Sequence, residues 1–166
     1  MEKFKILILF LSFFSCSLYG QTSYLRKIEK GKFGKAEKKI NKALKKEPND
    51  LVLNYAMSIL LMKRKYKDYN TAKSYEYLTK AERLYANIDD ETQINKLNKI
   101  PINSSVILNH LDTICIYALD DAIETNTVES FENFILKYPK ANQISEAISK
   151  RNALAYSRAM ITNTIS

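Results

Sequence analysis

Residues 31–50, GKFGKAEKKINKALKKEPND, carry the clearest structural pattern in this chain. After a glycine-containing turn, small residues recur at Ala36 and Ala43 with the larger Ile40 between them, and Pro48 follows. Residues at positions i, i+4 and i+7 share one face of an α-helix. Small residues on that face let a neighbouring backbone approach closely, and Pro48 cannot continue the helix. The pattern predicts a helix that packs closely against a second one.

The same residues resemble the second half of a tetratricopeptide repeat (TPR). In that family a small residue sits where the two helices of a repeat cross, and Ala36 occupies this place. The small, large, small spacing recurs at Ser74, Leu78 and Ala81. The resemblance implies an all-α fold, a TPR-like solenoid of antiparallel helix pairs, and a role in binding other proteins rather than in catalysis.

The first twenty residues have the pattern of an export signal. A basic start at Lys3 and Lys5 precedes an apolar run at residues 6–14, and mostly small or polar residues follow. The run is too short to span a membrane, which takes about 20 apolar residues, and its flanks favour a cleaved signal peptide. We expect residues 1–20 to be removed, which would leave Gln21 as the first residue.

A lipoprotein signal is the second interpretation of this segment. Phe13, Phe14 and Ser15 before Cys16 form an imperfect lipobox without its usual Leu, and lipidation of Cys16 would anchor the chain to a membrane. An ordinary buried N-terminal helix is the third interpretation. The first two place the protein in the periplasm or in association with the outer membrane of a Gram-negative bacterium.

The remaining chain divides into two helical parts around a polar linker. Residues 21–87 are expected to form two TPR-like hairpins, and residues 88–104 a linker with room for one short helix. Residues 105–166 are expected to form a further helical repeat. The predicted helices lie at residues 24–30, 35–46, 51–65, 70–85, 128–137 and 143–160, with one more that carries an apolar stripe at Ile107, Leu111, Ile114, Cys115, Ala118 and Ala122.

The C-terminal part carries its own family resemblance. Residues 131–151, FENFILKYPKANQISEAISKR, are similar to periplasmic helical repeats of the Tol-Pal and outer-membrane assembly type. In those repeats an F-x-x-F-x-x-x-Y-P phrase, a polar turn and an Ala-bearing helix join consecutive helices. We expect the last helix to face inward through Ile144, Ala147, Ile148, Ala155 and Ala159.

An internal repeat accompanies this resemblance. Residues 118–128, ALDDAIETNTV, align with residues 155–165, AYSRAMITNTI, at an offset of 37 residues. Each Thr-Asn-Thr is predicted to be a turn with a helix N-cap, and such a period is typical of stacked helical hairpins. Ser166 then falls where another helix is expected to begin. Three explanations stay open: a chain broken off from a longer array, a degenerate last copy, or chance similarity.

Positive charge is concentrated in one span. The chain carries a net charge of +8, and ten basic and two acidic residues lie between Arg26 and Lys46. Three interpretations of this span are open. It is a solvated helix face, a surface that binds anionic headgroups or an acidic protein, or a surface that binds nucleic acid. Export and the shortage of Arg argue against nucleic acid, because bidentate base readout favours Arg. The lysines predicted to contact a partner are Lys35, Lys38, Lys39 and Lys42.

Residues for catalysis or metal binding are scarce. His110 is the only histidine, and Cys115 lies about 140° away around a helix, so the two cannot pair locally. One histidine and at most two cysteines do not make a zinc site of the usual spacing, and the chain has no Gly-rich phosphate loop. We expect no catalytic, cofactor or metal site, and therefore no enzyme.

Tyrosines crowd the second predicted hairpin, with six of them between Tyr55 and Tyr85. Most are expected in the core, and Tyr55 and Tyr77 are the predicted partner contacts. The sequence thus indicates an exported, non-enzymatic scaffold that binds a protein or peptide. The alternatives are a lipoprotein adaptor anchored through Cys16, or the N-terminal interaction domain of a larger protein.

Overall fold

The computed structural model describes residues 23–100 and 102–164, with side chains as far as residue 161. This part of the chain has eight helices and no strand, which confirms the all-α fold class. The predicted signal peptide with Cys16, and the last two residues, lie outside the described part. The helices are α1 (23–29), α2 (Phe33–Leu44), α3 (Leu51–Leu61), α4 (Thr71–Ala86), α5 (Glu91–Leu97), α6 (Ser104–Thr125), α7 (Val128–Lys137) and α8 (Ile144–Thr164).

Polar side chains fix where the helices of the first hairpins begin. Asp50 accepts a hydrogen bond from the Leu53 N–H at 2.8 Å, and Asn70 accepts one from the Lys73 N–H at 2.8 Å. Each is an N-cap that satisfies an otherwise unpaired helix N–H. The turn between α1 and α2 uses Gly31 at a φ of +67°, a conformation that favours glycine. Gly34, three residues later, lies inside α2.

The second half of the chain is capped in the same way. Asn103 is the N-cap of α6 and accepts a hydrogen bond from the Val106 N–H at 2.9 Å. Asn126 ends α6 in the left-handed conformation, and Thr127 begins α7 through a capping box with Ser130. The predicted turn at residues 125–127 is therefore confirmed. Residues 162–164 lie inside α8, so the prediction of a second Thr-Asn-Thr turn is wrong.

The helices pack mainly on their neighbours in chain order. α2 packs on α3, α3 on α4, α4 on α6, α6 on α7, and α7 on α8, while the short α5 has no buried residue. Packing between successive helices is characteristic of helical-repeat architectures. α3 is central to the first half: ten of its 11 residues are buried. A helix that is apolar on all sides must be covered on all sides by neighbouring parts of the chain.

Two hydrophobic clusters form the core, and α3 contributes to both. The residues predicted to pack between helices are mostly in these clusters or beside them: five are fully buried, Ala43 is half-buried, and Pro48 is exposed in the turn before α3. The five fully buried residues are Ala36, Ile40, Ser74, Leu78 and Ala81.

The outer half of α8 differs from its prediction. Ala147 is buried and Ile144 half-buried, but Ile148, Ala155 and Ala159 are exposed. The expectation that these three residues face inward is therefore wrong. α7 has 10 residues and α8 has 21, so the second half of α8 extends past the helix on which it packs.

Candidate partner-binding surfaces

A cleft of about 350 Å³ opens between α2 and α4, and we call it the α2–α4 cleft. Met57 and Leu61 of the buried α3 lie at its base. Its walls come from α2, from the loop before α4, and from α4 itself. The lining residues are Glu37, Asn41, Met57, Leu61, Tyr66, Asp68, Tyr69, Asn70, Lys73 and Tyr77.

Tyr66 anchors one wall of this cleft. Its ring stacks edge-on against Phe33 with the centroids 5.9 Å apart, and its side chain is buried. Burial, and hydrogen bonds to Glu37 and Asp68, raise the pKa of Tyr66 far above its usual value. The hydroxyl therefore stays neutral and links α2 to the loop before α4. The cleft combines an apolar base, aromatic walls and charges of both signs.

The two tyrosines predicted to contact a partner lie in different places. Tyr77 is half-buried in the α2–α4 cleft. Tyr55 is only 4% exposed, its hydroxyl lies 2.8 Å from Nδ1 of His110 on α6, and burial raises its pKa to about 12. Tyr55 therefore packs in the core, and this placement corrects the contact role expected for it.

The predicted lysines lie together on the outer side of α2. Successive residues of a helix turn by about 100°, so Lys35, Lys38 and Lys42 point away from the buried Ala36 and Ile40. We define the basic face as the exposed α2 lysines, which are Lys35, Lys38, Lys39 and Lys42. Within the described part of the chain, no salt bridge joins a basic-face lysine to a carboxylate.

Lys27 of α1 is half-buried and lies near the basic face. Lys27 donates a hydrogen bond to the backbone carbonyl of Ser23 at 3.2 Å. Desolvation lowers the pKa of Lys27, and the neighbouring Lys39, Lys32 and Arg26 lower it further. Positive charge is therefore not confined to α2, since Lys39 lies close enough to Lys27 to act on its pKa.

A second cleft, of about 470 Å³, lies between the start of α4, α6 and α7. At its edge, Tyr69 donates a hydrogen bond to Oδ2 of Asp121 at 2.9 Å, and Arg64 lies within 3.6 Å of Asp120 and Asp121. The Arg64 guanidinium also lies over the Tyr117 ring, 5.1 Å from its centroid. These contacts hold the loop before α4 against α6. No local sequence motif joins Arg64 to Asp120, which lie 56 positions apart.

A third cleft, of about 420 Å³, is mainly apolar. It lies where the turn before α3 meets the end of α4 and the short α5. Its apolar lining consists of Pro48, Leu51, Val52, Leu84, Ile88 and Leu97.

The residues considered for catalysis take part in packing. Cys115 is 3% exposed, and burial, with a contribution from Asp112, raises its pKa to about 11. Burial and the charge of Lys63 lower the pKa of His110. Over residues 23–100 and 102–164, no group of three or more His, Cys, Asp or Glu side chains could hold a metal ion. None of the helices in those ranges is long and apolar enough to cross a membrane.

Comparison of the chain with protein-family models, with curated proteins and with solved structures gave no match.

Proposed function

We propose that this chain is an exported, non-enzymatic, TPR-like scaffold that binds a protein or peptide partner in the cell envelope. The observation that carries the proposal is the α2–α4 cleft, with its apolar base and aromatic walls. Stacked helical hairpins place such clefts between rigid helices, where they need little rearrangement to bind a ligand. The location in the envelope is supported by the export-signal pattern of residues 1–20.

The chemistry of the cleft suits an extended peptide with one apolar side chain. Met57 and Leu61 would receive that side chain at the base. Tyr77 would cover it, because tyrosine supplies contact area and a polar tip at low cost in conformational entropy. Lys73 and Asn41, on opposite walls, offer hydrogen bonds that would orient the peptide backbone.

A scaffold role also agrees with the state of the reactive side chains. The Cys115 thiol is buried with a raised pKa, so it is a poor nucleophile. His110 is held by Tyr55 between α3 and α6. Both residues contribute to packing between helices.

Site-specific photo-crosslinking in the native cells tests the proposal. A photoreactive amino acid at Asn41 in the cleft should crosslink a partner that the same group at Glu124, on the exposed side of α6, does not. The partner, once identified, should bind the Tyr77→Ala variant about 30-fold more weakly, as expected for a hot-spot aromatic worth about 2 kcal/mol.

Tyr156→Ala is the matched control, because Tyr156 is exposed on α8 and lies outside the cleft. Circular dichroism would verify that both variants are folded. Equal crosslinking from Asn41 and Glu124, or wild-type affinity in folded Tyr77→Ala, would refute binding in the cleft.

A further inference from the structure

The basic face has the properties of a surface that recognises charge without recognising shape. Its four lysines are exposed on one side of α2, and the half-buried Lys27 of α1 lies near Lys39. The aromatic residues of this hairpin, Tyr24 and Phe33, are half-buried and pack against the core cluster beneath. The face therefore presents exposed positive charges with no exposed aromatic residue among them.

This composition fits lipid headgroups better than a protein partner. Protein–protein interfaces are enriched in Tyr, Trp and Arg and depleted in Lys. An anionic membrane surface instead attracts any exposed basic residue through the summed potential, and lysine contributes as well as arginine. Of the ten basic residues between Arg26 and Lys46, nine are lysines.

We propose that the basic face docks on the anionic phospholipid headgroups of a membrane. The position of the face in the chain supports this assignment. It begins at Lys35, 19 residues after Cys16, the residue that would carry a lipid anchor. Polybasic segments close to a membrane anchor or insertion point add to membrane affinity in this way.

Docking through this face leaves the α2–α4 cleft accessible. Glu37 and Asn41, which line the cleft, lie on the side of α2 between the basic face and the core. A membrane under α2 would approach Lys38 and Lys42 and would leave the opening between α2 and α4 at the side. Membrane docking is therefore a second function, independent of the partner in the cleft.

Vesicle binding by the processed protein, purified from its own cells, tests the proposal. The readout is the ratio of its partition coefficients for vesicles of phosphatidylglycerol in phosphatidylcholine and for pure phosphatidylcholine vesicles. This ratio cancels any contribution of a lipid on Cys16. Neutralising a basic-face lysine should lower the ratio about fivefold, since each lysine near an anionic surface contributes about 1 kcal/mol.

The test variant carries Lys35→Gln, Lys38→Gln, Lys39→Gln and Lys42→Gln and should lose most of the preference for anionic vesicles. The control variant has the same net charge, with four exposed lysines replaced elsewhere: Lys65→Gln, Lys67→Gln, Lys99→Gln and Lys140→Gln. It should keep the ratio within a few-fold of wild type. Raising the salt from 0.1 M to 0.5 M should weaken the wild-type preference.

Three results would overturn the proposal: no preference of the wild type for anionic vesicles, an equal loss in both variants, or basic-face-dependent binding of a polyglutamate peptide without vesicle binding. The last result would identify an acidic protein as the partner. Tyr77→Ala should bind vesicles like the wild type, so failure of the cleft and failure of the basic face are distinguishable.

Discussion

Ser58 of α3 and Ser74 of α4 face each other in the core, both fully buried, with their Oγ atoms 3.0 Å apart. The Ser74 hydroxyl also donates to the backbone carbonyl of Ser58 at 2.9 Å. Because the Ser74 hydroxyl has only one hydrogen and donates it to this carbonyl, the hydrogen bond between the two Oγ atoms must be donated by Ser58. The small side chains let α3 and α4 approach closely, and the hydrogen bonds satisfy polar atoms that the approach buries.

We predict unequal costs for removing these two hydroxyls. Ser74→Ala leaves the buried Ser58 hydroxyl without its acceptor and should cost about 1–3 kcal/mol. Ser58→Ala should cost about 1 kcal/mol or less, because Ser74 can still donate to the carbonyl of residue 58. Urea denaturation of both variants measures the difference.

The double variant completes the test. With both hydroxyls absent, no donor is orphaned, so Ser58→Ala with Ser74→Ala should cost clearly less than the sum of the single changes. Additive costs would mean that the two hydroxyls act independently.

The burial of His110 predicts a dependence of stability on pH. Burial lowers the pKa of His110 below its usual 6.5 in the folded protein. Folding therefore favours the neutral imidazole. The contribution of His110 to the free energy of unfolding is fully present above about pH 6.5 and is lost as the pH falls through the lowered pKa. The free energy of unfolding, measured by urea denaturation, should be lower at pH 5.5 than at pH 7.5.

His110→Gln is the control for this effect. His110 is the only histidine of the chain, so a variant without it should lose most of the change between pH 7.5 and 5.5. An unchanged decrease in the variant would assign the effect to other groups.

The sequence predicted those parts of the fold that local signals determine. Apolar periodicity located the helices, with α7 at its predicted bounds and the other ends within about four residues. Thr127 was recognisable as a cap because capping involves residues only three apart.

Long-range relationships were not predictable in this way. Glu37 and Tyr66 meet in the α2–α4 cleft although 29 positions separate them, and nothing local marks the pair. Periodicity likewise shows which side of a helix is apolar, but not whether a neighbour covers it. Tyr55 is covered by α6 and was expected at the surface, whereas Ala155 is exposed and was expected inside.

Cys115 is expected to react slowly with thiol reagents in the folded protein. A pKa of about 11 leaves only a minor fraction as thiolate at pH 8, and the side chain is 3% exposed. Labelling by iodoacetamide should therefore be at least ~100-fold slower than in 6 M guanidinium, where the thiol has an ordinary pKa near 8.5. Mass spectrometry over time measures both rates. Comparable rates would contradict the burial of Cys115 in the core.

The two Thr-Asn-Thr segments should respond differently to the same substitution. Asn126 has a φ of +50°, which β-branched residues adopt only at a cost of about 1–2 kcal/mol. Asn126→Val should therefore lower the free energy of unfolding by about this amount, and Asn126→Gly should be nearly neutral. Residue 163 lies inside α8, where Val and Asn have similar helix propensities, so Asn163→Val should change stability by less than about 0.5 kcal/mol. Urea denaturation of the three variants measures these changes and so distinguishes a turn from a helix at residues 162–164. An equal loss at both positions would show that residues 162–164 form the same turn as residues 125–127, which would restore the repeat that the sequence predicted.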